Sequence, residues 1–413
     1  MSSLATAIRP RLWMGSVVGG SVWIVWLVSL ALGGWYRDAD GQLVGADHLA
    51  VYSAAHLIRA GQPAALYDHE FLAPYQDLLV GWDYPGLEAF RNPPFYALLY
   101  VPTAGLSYYI SYVLWTVIGF ALLVGAILLL RPTQPLRVLS WALVFYPVFA
   151  TVSFGQNTFL SLIVFAGVYR LLEADRYLIA GLVAGLLWFK PQLLIGFMIW
   201  WAVSPARYWR CWLGIGLTGL ALAGLSWLVL PEASAAFVHS LRENVGYGGE
   251  GLWNKHSPRA FFQLLLPGAP LLAWVLTASV WMLSIAAVAW LARRSGSSVA
   301  TMFPVAVFLS LWVTPHALIY EWALLVVAGV ILWERWPGSR DVWLGLFAFA
   351  WLALTISTPL TSIQLRYSPF AVQLSIPVMG VVGGLTLREL GRCGVTNEQA
   401  GRPDALAGTR YRT

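Results

Sequence analysis

Charge is what this chain of 413 residues has least of: Asp, Glu, Lys and Arg make up 11% of it, against 59% hydrophobic residues. A soluble domain carries about a quarter of its residues as charges. The scarcity, with a mean hydropathy of +0.69, therefore excludes a soluble protein and implies apolar segments that cross a bilayer. Cysteine is nearly absent too. Cys211 and Cys393 both fall at expected cytoplasmic ends, which argues against a disulfide framework and against a cysteine metal site. Walker and Rossmann glycine patterns, an HExxH motif, a clean internal repeat and a soluble domain are all missing, so neither a nucleotide nor a cofactor is expected. A net charge of +6 would suggest nucleic acid in a soluble protein; here it is assigned to loops that meet anionic lipid heads, and no nucleic-acid partner is expected.

What is present is an all-α polytopic membrane protein. Apolar runs delimited by charge predict twelve transmembrane helices: 12–35, one crossing within 93–130, 138–153, 157–172, 177–189, 192–204, 208–230, 270–292, 299–314, 317–333, 341–358 and 369–388. The run after Arg11 has no small-residue cleavage pattern and reads as a retained span. Seventeen of the 25 basic residues, from Arg9 and Arg11 to Arg410 and Arg412, then share one side, which the positive-inside rule makes the cytoplasm. Both termini belong there. Residues 1–390 form one membrane domain, and the tail 391–413 is too polar to pack. The outer side receives two long loops, 36–92 and 231–259, the first carrying short amphipathic helices, and it holds both lysines, Lys190 and Lys255.

Polar groups gather on that outer side. Asn92 opens NPPFYALLYVPTAGLS, whose prolines predict a short or re-entrant piece of the kind tolerated only against protein or a wet cavity. Lys190 tips the hairpin RYLIAGLVAGLLWFKPQLLIGFMIWWAVSPAR, Gln156 lies in the Gly155-Gln156-Asn157 junction, and Lys255 and His256 lie in the second loop. His316 joins two spans, Arg366 occupies the last outer loop, and Glu321 is expected about one helical turn below His316, where a lone carboxylate would be costly. In the first loop, ADHLAVYSAAHLIRAGQPAALYD predicts a helix that starts after Asp47 and stops at Gly61. Asp47 is then either its N-cap or a general base, and the local pattern does not choose.

The order of these segments resembles glycosyltransferase family 87. The Asp-initiated helix ending in Gly and Tyr-Asp, NPPFYALLYVP, SFGQN followed by RYLIAGLVAGLLWFKPQLL, and TPHALIYEW carry the resemblance, which covers most of residues 12–390. Such proteins are polyprenol-phosphate-mannose-dependent alpha-mannosyltransferases of the GT-C class, similar to mycobacterial enzymes that extend phosphatidylinositol mannosides and lipomannan. The resemblance implies a GT-C-like fold and an inverting transfer from a polyprenyl-phosphate sugar donor to a glycolipid or glycan acceptor, at the extracytoplasmic face of the cell membrane. It implies Asp47 as the base on the acceptor hydroxyl, His316 and Lys190 near the donor phosphate, and Gln156 lining the sugar pocket. Chemistry adds Arg366 to the phosphate group as a bidentate cation, with Lys255 or Arg259 as further candidates. His48, Asn92, Lys255, His256 and Glu321 complete the expected pocket, with His48 standing where an aromatic is usual. No metal is expected, because Asp47 has no acidic partner in sequence. The competing class is a secondary transporter or lipid flippase, which broken helices also suit. The long first outer loop and the lack of repeat symmetry argue against it.

The topology is open to direct measurement. Cysteines placed at positions 77 and 405 should label from opposite faces of the membrane; labelling of both from one side would overturn the orientation.

Overall fold

The computed structural model describes residues 12–242, 251–294, 298–335 and 340–400. Regular structure among them is helical throughout, and extended pairing is confined to two isolated bridges, Arg37 with Leu43 and Lys255 with Leu318. In hydrocarbon each backbone N–H and C=O needs an internal partner, which a helix supplies from its own segment. Among the described residues, five helices are long and apolar enough to cross a membrane: Trp13–Leu32, Tyr108–Leu130, Pro205–Val229, Pro270–Arg294 and Arg340–Tyr367. A sixth crossing results if Pro135–Leu143 and Tyr146–Ser153, bent by 66°, count as one. Pro147 accounts for the break, since it lacks the N–H that would continue the first helix.

The twelve expected crossings are thus not reached on length. Tyr177–Phe189, Pro191–Val203 and Val299–Val313 are apolar but short, and about 15 helical residues cover roughly 22 Å of a hydrocarbon core near 30 Å. The shortness has a sequence cause. Lys190-Pro191 cuts one hairpin, with 3₁₀ turns at Leu186–Phe189 and Pro191–Leu194 on either side. Thr314-Pro315 ends the third helix at Val313, and the chain re-enters as a 3₁₀ turn, Ile319–Leu324, before Leu325–Arg335. Glu321 is therefore not one helical turn from His316; an extended stretch through Leu318 separates them. The piece expected to be short or re-entrant is a short helix, Pro94–Leu98, followed by the turn Val101–Thr103. Of the expected tail, the helix Ser375–Ala400 includes the first ten residues, and the remainder lies outside the described residues.

The first long loop, 36–92, is packed into the protein. Its helix Ala46–Arg59 buries His48, Leu49, Val51, Tyr52, Ser53, Ala54, Ala55 and Leu57. Gly61 ends it, with φ +74, and the bonds from Gln62 N to Leu57 O and from Gly61 N to Ile58 O form a Schellman closure. At the other end the helix begins one residue before Asp47, not after it. Gly45 occupies the N-cap with φ +64, and Asp47 lies in the first turn without capping it. The two loops meet, with the Tyr67 ring 5.4 Å from that of Phe237 in the helix Pro231–Arg242.

Two glycines dock this helix on the turn 153–156. Gly45 N donates to Ser153 O at 3.2 Å and Asp47 N to Phe154 O at 3.0 Å. Gly155 has φ +73, and a Cβ there would lie 2.7 Å from Gly45 O and 2.9 Å from His48 Cβ, while a Cβ on Gly45 would lie 2.3 Å from the Tyr112 ring. Backbone meets backbone because neither residue has a side chain. Gly155→Ala should therefore cost about 1 to 3 kcal/mol and lower the thermal midpoint in detergent. An unchanged midpoint would show that the two turns do not touch.

Candidate active site

The docked helix presents Asp47 to the next polar turn. Gln156 Nε2 donates to Asp47 Oδ2 at 2.6 Å, and Lys190 Nζ donates to Gln156 Oε1 at 3.4 Å. Lys190 Nζ also lies 3.4 Å from Glu321 Oε1 and 5.3 Å from the centroid of the Tyr320 ring. The lysine and glutamate side chains are only 12% and 5% exposed. Water screens such a pair poorly, so separating it would leave a costly uncompensated charge. Four residues far apart in sequence thus form one chain: Asp47, Gln156, Lys190, Glu321.

Packing around Lys190 fixes where it stands. Asn92 Nδ2 donates to Phe189 O at 2.9 Å, and Tyr96 stacks on the Phe189 ring at 4.6 Å and 12°. The Tyr96 hydroxyl bonds Tyr100 and accepts from Asn157 Nδ2, which ties the NPPFY segment to the same turn that carries Gln156. Asn92, expected in the pocket, holds the lysine's backbone in place.

The segment 314–322 joins this chain to a second, cationic group. On one side Ser257 Oγ donates to Pro315 O at 2.8 Å, His256 N to Ala317 O at 2.6 Å, and Trp322 Nε1 to His256 O at 3.1 Å. On the other, Phe154 and Tyr320 rings approach to 6.0 Å. His316, at the head of this segment, titrates at about 4, lowered first by burial and then by the positive charges of Lys255, Arg259 and Arg91. Three basic side chains therefore act on one neutral imidazole. Arg259 is stacked 4.8 Å over Trp274, and its Nε is buried without a hydrogen-bond partner among the described residues. Such a group can hold a multiply charged oxyanion.

Several expected residues take other places. His48 is 2% exposed, caged by Tyr52, Tyr100, Tyr108 and Tyr112 with Nε2 at 3.1 Å from Ser111 Oγ. It borders an enclosed cavity of about 50 Å³ shared with Gln156 and Asn157, and burial lowers it to about 3. His256 is fully enclosed, with Nδ1 at 2.7 Å from Ser375 Oγ and Nε2 at 2.8 Å from Thr358 Oγ1. It ties the second loop to two late helices, and burial lowers it also to about 3. Arg366 is not in a loop but in the last turn of Arg340–Tyr367, exposed and without a hydrogen bond or ion pair among the described residues. Arg91 escaped the sequence reading, although it immediately precedes the Asn92-Pro93-Pro94 motif; only its convergence on His316 reveals it. Tyr320 was likewise missed.

The family model described as glycosyltransferase family 87 matches residues 90–315, more than half of the chain. No curated protein and no solved structure matches it. The matched stretch runs from just before Arg91, through Gln156, Lys190, Lys255 and Arg259, to just short of His316; Asp47 and Glu321 lie beyond it.

The enclosed His48 and His256, with the half-buried His316, predict a pH dependence. Free histidine titrates near 6.5, and these three only near 3 to 4. Between those values the unfolded chain binds protons that the folded protein refuses, so stability is full above pH 6.5 and falls as the pH drops toward 4. The thermal midpoint in detergent should decline from pH 7 to pH 5. The decline should be shallower in His256→Gln. A flat profile in the parent protein would mean that these rings are not shielded.

Proposed function

Because the chain belongs to glycosyltransferase family 87, we propose that it is an inverting transferase that moves a sugar, mannose, from a polyprenyl-phosphate donor to a hydroxyl of a glycolipid or polysaccharide. The reaction takes place at the extracytoplasmic face of the cell membrane, in a GT-C-like domain of twelve crossings with both termini in the cytoplasm. Broken and shortened helices account for the crossings that length alone does not count. Family membership displaces the transporter or flippase as the alternative.

The observation that carries the reading is the pairing of one half-buried carboxylate with a separate cationic group across the segment 314–322. Asp47 takes the proton of the acceptor hydroxyl, whose oxygen forms the new bond to the anomeric carbon. The bond from that carbon to the phosphate oxygen breaks, and polyprenyl phosphate leaves with the electron pair. Arg91, Lys255 and Arg259, beside a neutral His316, receive the charge that gathers on the leaving phosphate. The base works on one side of the sugar and the cations on the other, as a single displacement requires. The N-cap alternative for Asp47 has no support, because Gly45 fills that position and the carboxylate accepts from Gln156 instead.

Asp47→Asn keeps an oxygen for Gln156 and loses only basicity. It should lower transfer from radiolabelled polyprenyl-phosphate mannose in membranes by roughly 10² to 10⁴ at normal protein levels. Arg91→Ala and Lys255→Ala should weaken use of the same donor on the order of 10²-fold. Asp47→Asn with more than about a tenth of parental transfer is incompatible with a base role.

A further inference from the structure

The amide of Gln156 stands between an anion and a cation, and its two ends are not interchangeable. An ammonium has only donors, so Lys190 must meet the amide oxygen; the amide nitrogen then has to face Asp47. Turned over, the same amide would set oxygen against carboxylate and NH₂ against ammonium. The observed contacts, 2.6 Å from Nε2 to Asp47 Oδ2 and 3.4 Å from Lys190 Nζ to Oε1, are the compatible pair. Lys190 is itself occupied on its other sides by Glu321 Oε1 at 3.4 Å and the Tyr320 ring at 5.3 Å.

We propose that Gln156 and Lys190 are positioning residues: Lys190, clamped by Glu321, locks the Gln156 amide so that it binds Asp47 Oδ2 and holds the carboxylate in place for the acceptor. This rests on Asp47 as the base. It gives Lys190 a different task from a phosphate ligand, and gives Gln156 a different task from a wall of the sugar pocket. The oxyanion of the donor belongs to the Arg91, Lys255 and Arg259 group instead. Glu321 keeps the lysine ammonium from moving on to the carboxylate, where a direct ion pair would bind the base too firmly to act.

Other groups also bear on the Asp47 carboxylate. Tyr84 from the 81–93 loop and Tyr108 at the start of Tyr108–Leu130 both feel its charge, Glu88 lies against Tyr84 at 2.8 Å, and His48 beside it is neutral. None of these is altered by substitutions in the Gln156, Lys190 and Glu321 chain, so those substitutions isolate its effect.

The test needs a readout that does not depend on turnover. Dicyclohexylcarbodiimide reacts with protonated carboxyls, and mass spectrometry of the Asp47 peptide from full-length protein in detergent gives a labelling midpoint against pH. Lys190→Met and Gln156→Leu each remove support for the charged carboxylate and should raise that midpoint by about one pH unit; Glu321→Gln leaves the ammonium uncompensated and should lower it. Lys190→Arg keeps the charge and should leave it in place, which covers the case of a misfolded Lys190→Met. In transfer assays with polyprenyl-phosphate mannose, Lys190→Met and Gln156→Leu should lower kcat at an unchanged KM for the donor. Coincident midpoints, or a loss confined to KM, would overturn the positioning roles even when Asp47→Asn is inactive. Shifted midpoints together with an active Asp47→Asn would sink the base assignment instead.

Discussion

A lysine ammonium with little access to water must be met by oxygens, and Lys190 meets that demand from three directions. Glu321 supplies charge, Gln156 supplies a carbonyl, and Tyr320 supplies the face of its ring. Gln156 comes from one break between helices, and Glu321 and Tyr320 come together from another. Were the lysine apolar, nothing would require the tip of the 177–203 hairpin, the 153–157 turn and the 314–322 segment to share one place. The buried ion pair adds little net stability by itself, because desolvation offsets most of the attraction. What it adds is register: a lone partner would be costly, so the segments cannot slide apart separately.

The same logic explains why the short helices are short. A continuous helix through Lys190 or through His316 would satisfy its own backbone and leave those side chains aimed at neighbouring helices. Breaking the helix frees backbone groups that then have to be met by protein. Ala317 O is met by His256 N, Pro315 O by Ser257 Oγ, and Phe189 O by Asn92. These bonds pin each break to another segment. The irregular backbone and the polar cluster are thus two aspects of one arrangement.

Much of this was legible in the residues. The all-helical class, the helix of the first long loop, its stop at Gly61 and the breaks at proline follow from hydropathy, proline and glycine. Asp47, Gln156, Lys190 and Glu321 were each visible as polar residues in apolar surroundings, but their connection was not, since a contact between residues 47 and 156 leaves no local trace. The helix start shifted because glycine at φ +64 can cap where the aspartate was expected to. The enclosure of His48 and His256 was not legible either, because the tyrosines and hydroxyls that surround each ring come from distant parts of the chain. Arg91 was hidden by its surroundings, one arginine among many.

The wide sequence separation within the cluster bears on the order in which the protein is made. Asp47 is bonded to a residue 109 positions later, and His256 to one 119 positions later. During synthesis the helix of the first loop is made long before the turn at Gly155 exists to receive it, and Lys190 is made well before Glu321. Until the ribosome has passed residue 321, the apolar flank of Ala46–Arg59 lacks part of its cover and the ammonium lacks its counter-ion. A nascent chain arrested before that point would expose both to the membrane's quality-control machinery. Completion of the polar cluster and burial of the first-loop helix would then fall in the same late step.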